Sequence, residues 1–327
     1  MIELSMVAVP PSDEHLQTMA QIGISNLVHY DMSNETSKFD QFPEMVAKAK
    51  HFGLKVPVIE SGPAIDKIIF NKPGAEEQIQ HWISSIEFLS QHGVEVICYN
   101  FMPQVLDDAM VVRTSFDTET RGGALTSAFR SQDLNDQTVP HTETAISDEE
   151  MWANLKTFLD AVIPTAEKVG VKLAMHPDDP PLSPIAGLSR IMSSVDDFDR
   201  LLLLNPSISN GITLCAGCFG ELGEDVPALV DRFKDRIHFV HFRNIKGEIH
   251  DFMETFPDDG DIDLLGLFEV LEKQDFKAYV RADHAPLLAT EKEAGEDGYG
   301  FQGHLHTSGY MQGVLDTARR QLKASTS

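Results

Sequence analysis

The sequence predicts a single-domain (β/α)8 barrel, the TIM-barrel fold, spanning residues 1–327. Eight short apolar runs rich in β-branched and aromatic residues alternate with segments of helical periodicity, and this alternation is typical of a parallel α/β fold. The length of the chain suits one barrel. An open dinucleotide-binding sheet would place a G-x-G-x-x-G turn after its first strand. Residues 10–15 read PPSDEH instead, so the closed barrel is favoured.

The predicted strands are short, and each is followed by residues that favour a loop or the start of a helix. In chain order they are expected at 2–9, 25–30, 55–60, about 94–100, 171–176, 211–216, 237–242 and 278–283. If these strands are parallel and close into one barrel, the residues at their carboxyl ends meet at one rim. That rim is where barrels of this kind carry their chemistry.

Capping residues and glycines mark the helices between the strands. Ser12 opens the first helix, and Ser147 with Glu150 three residues later has the spacing of a capping box. Four helices are expected to end at Gly23, Gly53, Gly93 and Gly170, and shorter ones are expected at about 195–204, 225–235, 263–274 and 309–323. A mixed, polar excursion at about 103–147 follows the fourth strand. Long loops at this end of a barrel commonly act as lids or oligomer contacts.

The chain is acidic, with 51 Asp and Glu residues against 26 Lys and Arg residues and a formal net charge of −25. Such a surface repels phosphate backbones and anionic membranes, so we expect neither nucleic acid nor a membrane as a partner. The N-terminus lacks the basic segment of a signal peptide, and no apolar stretch approaches the roughly 18 residues of a membrane span. Three cysteines without framework spacing suit a reducing compartment. We therefore expect a cytoplasmic homo-oligomer that acts on a small molecule.

Four side chains that bind metals each close one of the predicted strands. They are His176 after VKLAM, Cys215 after GITL, His241 after IHFV and Asp283 after AYVRA. Taken singly, such residues are more often structural than ligands. Together they occupy the same place in four successive strand–helix units, which predicts one site at the barrel rim. Two imidazoles, a thiolate and a carboxylate suit Mn²⁺, Fe²⁺ or Zn²⁺ better than Mg²⁺ or Ca²⁺.

Cys218 offers a competing interpretation, because Cys215-Ala-Gly-Cys218 is a C-x-x-C motif. Such a motif can be half of a zinc knuckle or a redox pair. The sequence has no second C-x-x-C, which argues against a closed structural zinc site. Asp178 and Asp179, which follow His176 in a proline-rich segment, are expected either to orient the ligands or to cap the loop.

Seven segments that follow one another along the chain carry a family resemblance. They are CYNFMP (98–103), MHPDDPP (175–181), the Cys215 loop, HFRN (241–244), DGDIDL (259–264), RADH (281–284) and SGY (308–310). The set resembles the mannonate dehydratase family, lyases of the xylose-isomerase-like barrel group. The resemblance implies that His176, Cys215, His241 and Asp283 bind Mn²⁺ or Fe²⁺. It also implies acid–base roles for His284 and Tyr310, in the dehydration of D-mannonate to 2-keto-3-deoxygluconate.

The anionic substrate calls for cationic or polar groups near this site. The candidates are Arg243, Arg281 and Arg113, with Asn100 at the end of the fourth strand. The alternative for each arginine is a salt bridge within the barrel. A related metal-dependent isomerase or epimerase and a catalytically silent binding homologue also stay open as functions.

The chain departs from the family pattern at three places near the expected substrate site. Ile65 stands where the family has a histidine, and the second strand ends in His29-Tyr30-Asp31 rather than in a pair of histidines. Ala285 and Pro286 follow the RADH segment in place of the family's usual residues. None of these changes affects the four expected metal ligands.

Overall fold

The strands of the computed structural model, which describes residues 1–30, 36–104, 110–134, 146–274, 277–291 and 298–325, confirm the predicted barrel. The described strands are β1 (Ile2–Val7), β2 (Asn26–Tyr30), β3 (Lys55–Glu60), β4 (Val96–Tyr99), β5 (Ser115–Glu119), β6 (Leu125–Arg130), β7 (Lys172–Met175), β8 (Asn210–Cys215), β9 (Ile237–Phe242), β10 (Asn244–Glu248), β11 (Asp251–Thr255) and β12 (Ala278–Ala282). Eight of them close in the order β1-β12-β9-β8-β7-β4-β3-β2, and all the barrel pairings are parallel. These eight coincide with the eight segments expected from the sequence, with β8 beginning one residue early at Asn210.

The helices surround the barrel as α1 (Asp13–Gln21), α2 (Thr36–His51), α3 (Asp66–Ile69), α4 (Ala75–Gln91), α5 (Asp148–Val169), α6 (Val195–Leu204), α7 (Ala216–Glu221), α8 (Val226–Phe233), α9 (Leu264–Lys273) and α10 (Phe301–Ser325). The predicted caps are present. The Ser12 hydroxyl accepts from the backbone of His15 at 3.1 Å, and Ser147 and Glu150 form the capping box. Gly170 ends α5 in the left-handed conformation that glycine adopts without strain. Within the described residues, no helix combines the length and apolar character needed to cross a bilayer.

The last helix, α10, begins at residue 301 and not near 309 as expected. Its first turns contain Gly303 and Gly309. Because glycine has a low helix propensity, the sequence did not indicate this part of the helix. The structure supplies a reason for one of them. A Cβ atom on Gly303 would lie 2.6 Å from the carbonyl oxygen of Pro286. The segment that carries Ala285 and Pro286 therefore packs directly on α10.

A second sheet of four antiparallel strands, in the order β10-β11-β6-β5, was not predicted. It joins two excursions of the barrel, because β6 comes from the segment after β4 and β11 from the segment after β9. The side chains of β5 are mostly exposed, so its sequence lacks the alternation of a half-buried strand. The predicted excursion at 103–147 is thus partly a sheet, and its residues 105–109 and 135–145 lie outside the described residues.

The hydrophobic core has two main parts, one inside the barrel and one between the barrel and the helices. Side chains alternate along β9, so Phe239 and His241 both face the barrel interior, and their rings lie 4.9 Å apart. His238 points to the other side. Its Nε2 donates to the carbonyl oxygen of Ile208 at 2.9 Å, and its ring fills the space that a Cβ on Gly211 would need.

His238 gives the first testable prediction. Burial, with help from Lys172 and Arg236, lowers the pKa of His238 to about 3. Below a pH of about 6.5, the ordinary pKa of an imidazole, His238 is protonated in the unfolded chain but stays neutral in the folded chain. The free energy of unfolding therefore falls as the pH drops from about 6.5 toward 3. At pH 5 this loss amounts to about 2 kcal/mol.

We expect the variant His238→Gln, which retains an N–H donor for Ile208, to lack this pH-dependent loss of stability. Urea unfolding between pH 7.5 and 5 measures it as a steeper decline for the unmodified protein than for the variant. Parallel declines for the two proteins would contradict the assignment.

Candidate metal centre and active site

The structure brings together the four side chains predicted to bind a metal. Cys215 and His241 are paired residues of β8 and β9, while His176 and Asp283 directly follow β7 and β12. His176 Nε2 lies 3.1 Å from His241 Nδ1, and Asp283 Oδ2 lies 3.5 Å from the same His241 nitrogen. Cys215 Sγ lies 3.8 Å from Asp283 Oδ2. The four side chains are buried at the carboxyl ends of four barrel strands.

Hydrogen bonds and ion pairs turn the two imidazoles toward this centre. His176 Nδ1 donates to the carbonyl oxygen of Pro177 at 2.7 Å, because a carbonyl can only accept, so Nε2 is the nitrogen that faces the other predicted ligands. His241 Nε2 lies 3.5 Å from Glu60 Oε1, so its Nδ1 is the nitrogen on the side of the other ligands. Ligating histidines commonly have their second nitrogen held in this way.

The donor set fits a divalent transition metal. Bonds of about 2.0–2.3 Å from nitrogen, oxygen and sulfur to one ion place neighbouring ligand atoms about 3–4 Å apart. The ligand-atom distances given above fall in that range. Burial alone would raise the pKa of Cys215, but its interactions with Cys218 and with the imidazoles of His176 and His241 hold that pKa well below its ordinary value. The pKa of Asp283 is likewise lowered against the effect of burial, by His284, Arg281 and His241. Both side chains are therefore available as anions.

Arg281 connects one ligand to the opposite side of the barrel. Its Nε and Nη2 donate to the two carboxylate oxygens of Glu60 at 2.6 and 2.5 Å, and Nη2 also lies 2.8 Å from Asp283 Oδ1. Burial would raise the pKa of Glu60, yet the Arg281 guanidinium holds it below its ordinary value. One arginine thus positions the ligand Asp283 and the acid that faces the ligand His241.

Arg243 and Arg113 hold a second group of acids beside the ligands. Arg243 lies 2.9 Å from Asp179, 3.0 Å from Glu254 and 2.6 Å from Glu221. Arg113, from the excursion after β4, lies 2.7 Å from Asp179 and 2.9 Å from Glu254. Asp179 therefore does more than cap its loop, because it also holds both arginines in place beside the predicted ligands.

The three arginines predicted to hold the substrate are all buried and already have carboxylate partners. Their side chains are at most 1% exposed. This arrangement favours the alternative of salt bridges within the barrel, and substrate binding by Arg113, Arg243 or Arg281 remains a prediction.

Anionic and cationic side chains lie close together around the predicted ligands. The pKa values of five groups in and around the centre are lowered toward the anionic form: Glu60, Asp179, Cys215, Glu254 and Asp283. Three guanidinium groups face them. Glu221 is not among the five, because burial and the neighbouring Asp179 raise its pKa well above its ordinary value despite Arg243. Against the effect of burial, Cys215 raises the pKa of His176 to about 9, and Glu254 and Asp283 raise that of His284, so two imidazoles add positive charge to the three guanidinium groups.

His284 stands at the accessible edge of the centre. Its side chain is 15% exposed, against 1–3% for His241 and Asp283. His284 Nδ1 donates to Glu254 Oε1 at 2.7 Å, which leaves Nε2 for proton transfer. Burial would lower the pKa of His284, but the carboxylates of Glu254 and Asp283 raise it. The structure thus places this predicted catalytic residue beside the ligands.

The structure does not bring Tyr310 to this centre. Tyr310 lies on α10, and its ring packs 6.2 Å from that of Phe242, a residue next to His241 that faces the helices. Tyr299 lies at the site instead. Its hydroxyl is 3.5 Å from Arg281 Nη2, and its ring lies 5.3 Å from that of His284. Tyr299 is not among the predicted site residues because it belongs to an irregular segment before α10, where no strand or helix pattern marks a position.

Two of the departures from the family pattern lie near the barrel mouth. The ring of Tyr30 lies 5.1 Å from that of Tyr299, while Asp31 is outside the described residues. Ile65 lines a cavity of about 320 Å³ together with Trp82 and Asn100. The Oδ1 atom of Asn100 is buried and has no hydrogen-bond partner among the described residues. Asn100 therefore keeps a free acceptor beside the rim, and its role in substrate binding remains a prediction.

Comparison with known proteins identifies the family. The model of the D-mannonate dehydratase (UxuA) family matches residues 12–145 and 139–325. Mannonate dehydratase 1 of Bacillus licheniformis is 32% identical over 332 aligned residues, which cover 91% of this chain and 89% of that protein. The mannonate dehydratase of Streptococcus pneumoniae is 33% identical and covers 86% and 82%.

Solved structures agree with this assignment. The crystal structure of mannonate dehydratase from Streptococcus suis serotype 2 superposes with a TM-score of 0.88 at 29% identity, over 98% of this chain and 96% of that one. A structure of L-ribulose 3-epimerase, at 14% identity and a TM-score of 0.64 over 100% and 99% of the two chains, shares the fold alone. With a family model that spans nearly the whole chain and relatives above 30% identity, the chain belongs to the D-mannonate dehydratase family.

Proposed function

We propose that this protein is a metal-dependent hydro-lyase that dehydrates a sugar acid, with D-mannonate as the first candidate substrate and Mn²⁺ or Fe²⁺ as the ion. The observation that carries the proposal is the convergence of four ligand atoms beside His284, at the rim of a barrel of this family. The curated relatives and the similar structure from Streptococcus suis are named mannonate dehydratases, which supports the reaction.

Dehydration requires removal of a proton next to a carboxylate and departure of a hydroxyl group from the neighbouring carbon. An ion held by His176, Cys215, His241 and Asp283 would supply positive charge against the negative charge that builds up in this step. His284 Nε2 is placed to move one proton, because Glu254 engages the other ring nitrogen. The Tyr299 hydroxyl is the second proton-transfer group, and Arg281 beside it opposes the rise in its pKa that burial causes.

The proposal is tested by an anaerobic assay of the Mn²⁺- or Fe²⁺-loaded protein against a panel of aldonates. We expect mannonate to be converted to a 2-keto-3-deoxy acid, a product lighter than its substrate by one water. A product of unchanged mass would instead indicate an isomerase or epimerase. Stoichiometric metal binding without turnover of any aldonate would indicate a catalytically silent binding protein.

The two tyrosines provide a matched pair of variants. Tyr299→Phe removes a hydroxyl at the site, and we expect kcat to fall by a factor of about 10²–10⁴, the usual contribution of a proton-transfer group. Tyr310→Phe removes a hydroxyl on α10, and we expect kcat to change by less than about threefold, because the ring packs against Phe242 away from the ligands. Steady-state kinetics on the preferred aldonate measure both. A larger loss in Tyr310→Phe than in Tyr299→Phe would restore Tyr310 to the catalytic role.

The two cysteines of the C-x-x-C motif are expected to differ in their effect on Mn²⁺. Cys215→Ser removes a predicted ligand, and we expect Mn²⁺ to bind at least about 100-fold more weakly. Loss of a residue that only orients a ligand already weakens metal binding by about 10–100-fold, and loss of a ligand should cost at least as much. Cys218→Ser should change the Mn²⁺ affinity by less than about tenfold, because the hard ion gains little from a second sulfur. Mn²⁺ titration followed by electron paramagnetic resonance measures the free ion directly. Equal losses in the two variants would contradict the four-ligand assignment.

A further inference from the structure

Cys218 lies against the metal centre, but the function proposed above does not use it. It belongs to the first turn of α7, which Cys215 precedes. The sulfur atoms of Cys215 and Cys218 and a ring nitrogen of His176 all lie within 4.8 Å of one another. Cys215 and Cys218 are fully buried, and His176 is 8% exposed. A set of three donors next to the four predicted ligands needs an explanation.

We propose that His176, Cys215 and Cys218 form a second, sulfur-rich coordination mode that holds a soft divalent ion such as Zn²⁺ or Cd²⁺. This mode shares His176 and Cys215 with the four-ligand centre, so one ion at a time is bound. The inference does not depend on which sugar acid the enzyme dehydrates.

The surroundings of Cys218 place the ion on the His176 side of its sulfur. On the other side, Asp179 and Glu221 lie within 4.8 Å of Cys218 Sγ, and these three residues also form a possible donor set. Arg243 already occupies that side. It donates to the sulfur at 3.6 Å and to the two acids at 2.9 and 2.6 Å. A guanidinium in direct contact with all three groups repels a second cation. On the His176 side, no arginine of the described residues donates a hydrogen bond to Cys215 Sγ.

The hardness of the ion decides between the two modes. Thiolates bind Zn²⁺, Cd²⁺ and Cu⁺ in preference to hard ions, whereas imidazole with carboxylate suits Mn²⁺. Zinc sites with two cysteines and one or two histidines are common, and a Cys₂His set with one further position is a known catalytic type. A soft ion therefore gains a second sulfur ligand when it binds Cys218. Mn²⁺ gains little from that sulfur, so it stays with His241 and Asp283 as ligands. The second mode would let soft ions compete with the ion used for dehydration.

Thiolate-to-metal charge-transfer absorption tests the inference, because its intensity counts the sulfur atoms bound to Cd²⁺. The experiment titrates Cd²⁺ into the full-length protein and into Cys215→Ser, Cys218→Ser and Cys218→Ala. The comparison variant is Cys98→Ser, since Cys98 is also buried but belongs to a different possible donor set, with Glu60 and His241, and its sulfur accepts a hydrogen bond from Thr213 at 3.2 Å. We expect the absorption per bound Cd²⁺ to fall to about half in both Cys218 variants and to stay unchanged in Cys98→Ser, since each thiolate contributes separately.

Two results would overturn the inference. Full absorption in both Cys218 variants, with loss only in Cys215→Ser, would show that a single sulfur binds the ion. A fall in Cys98→Ser would place the ion on a different set of residues. Mn²⁺ binding to the Cys218 variants, measured by electron paramagnetic resonance, shows that the four-ligand centre is folded. The expected pattern includes a gain in the preference for Mn²⁺ over Cd²⁺ of at least about tenfold in these variants, since they lack the second soft donor.

Discussion

The active site depends on buried ion pairs between three arginines and the acids that surround the metal ligands. Arg281 fixes Glu60 and Asp283 from one side, while Arg243 and Arg113 fix Asp179 and Glu254 from the other. Burying charges is unfavourable unless each has a partner, and removing one partner from such a pair typically costs about 3–5 kcal/mol. The network therefore tolerates little change, and it holds the ligands in place before any ion or substrate binds.

The same network explains how an acidic protein can handle an acidic substrate. The chain carries a formal net charge of −25, which repels anions at long range. At the rim, five groups whose pKa values are lowered face three guanidinium groups and the imidazoles of His176 and His284, whose pKa values are raised. The cations of the protein are thus already matched by its own anions, and a divalent ion bound by the four predicted ligands would be the group that attracts a carboxylate. On this view the arginines pair with the carboxylates of the protein, and the ion would pair with the carboxylate of the substrate.

The sequence allowed the barrel, and the convergence of four candidate ligands at its rim, to be predicted because both follow from local patterns. The ends of four strands locate His176, Cys215, His241 and Asp283 without knowledge of any contact. The rest of the site depends on distant pairings: Glu60 and Arg281 are 221 residues apart, and Glu254 reaches the centre from a hairpin that was not recognised. Tyr299 lies between 292–297, which the structure does not describe, and α10, in a segment without periodicity. Such positions become visible only when the chain is folded.

The four-stranded sheet beside the barrel limits how loops of this enzyme can be exchanged with those of related barrels. Loop grafting usually treats each segment between a strand and the next helix as an independent module. Here the segment after β4 contributes Arg113, and the segment after β9 contributes its partner Glu254. Their strands β6 and β11 also pair with each other. A graft of one segment alone would leave an unpaired strand edge and an uncompensated buried charge, so residues 110–134 and 244–255 form a single transferable unit.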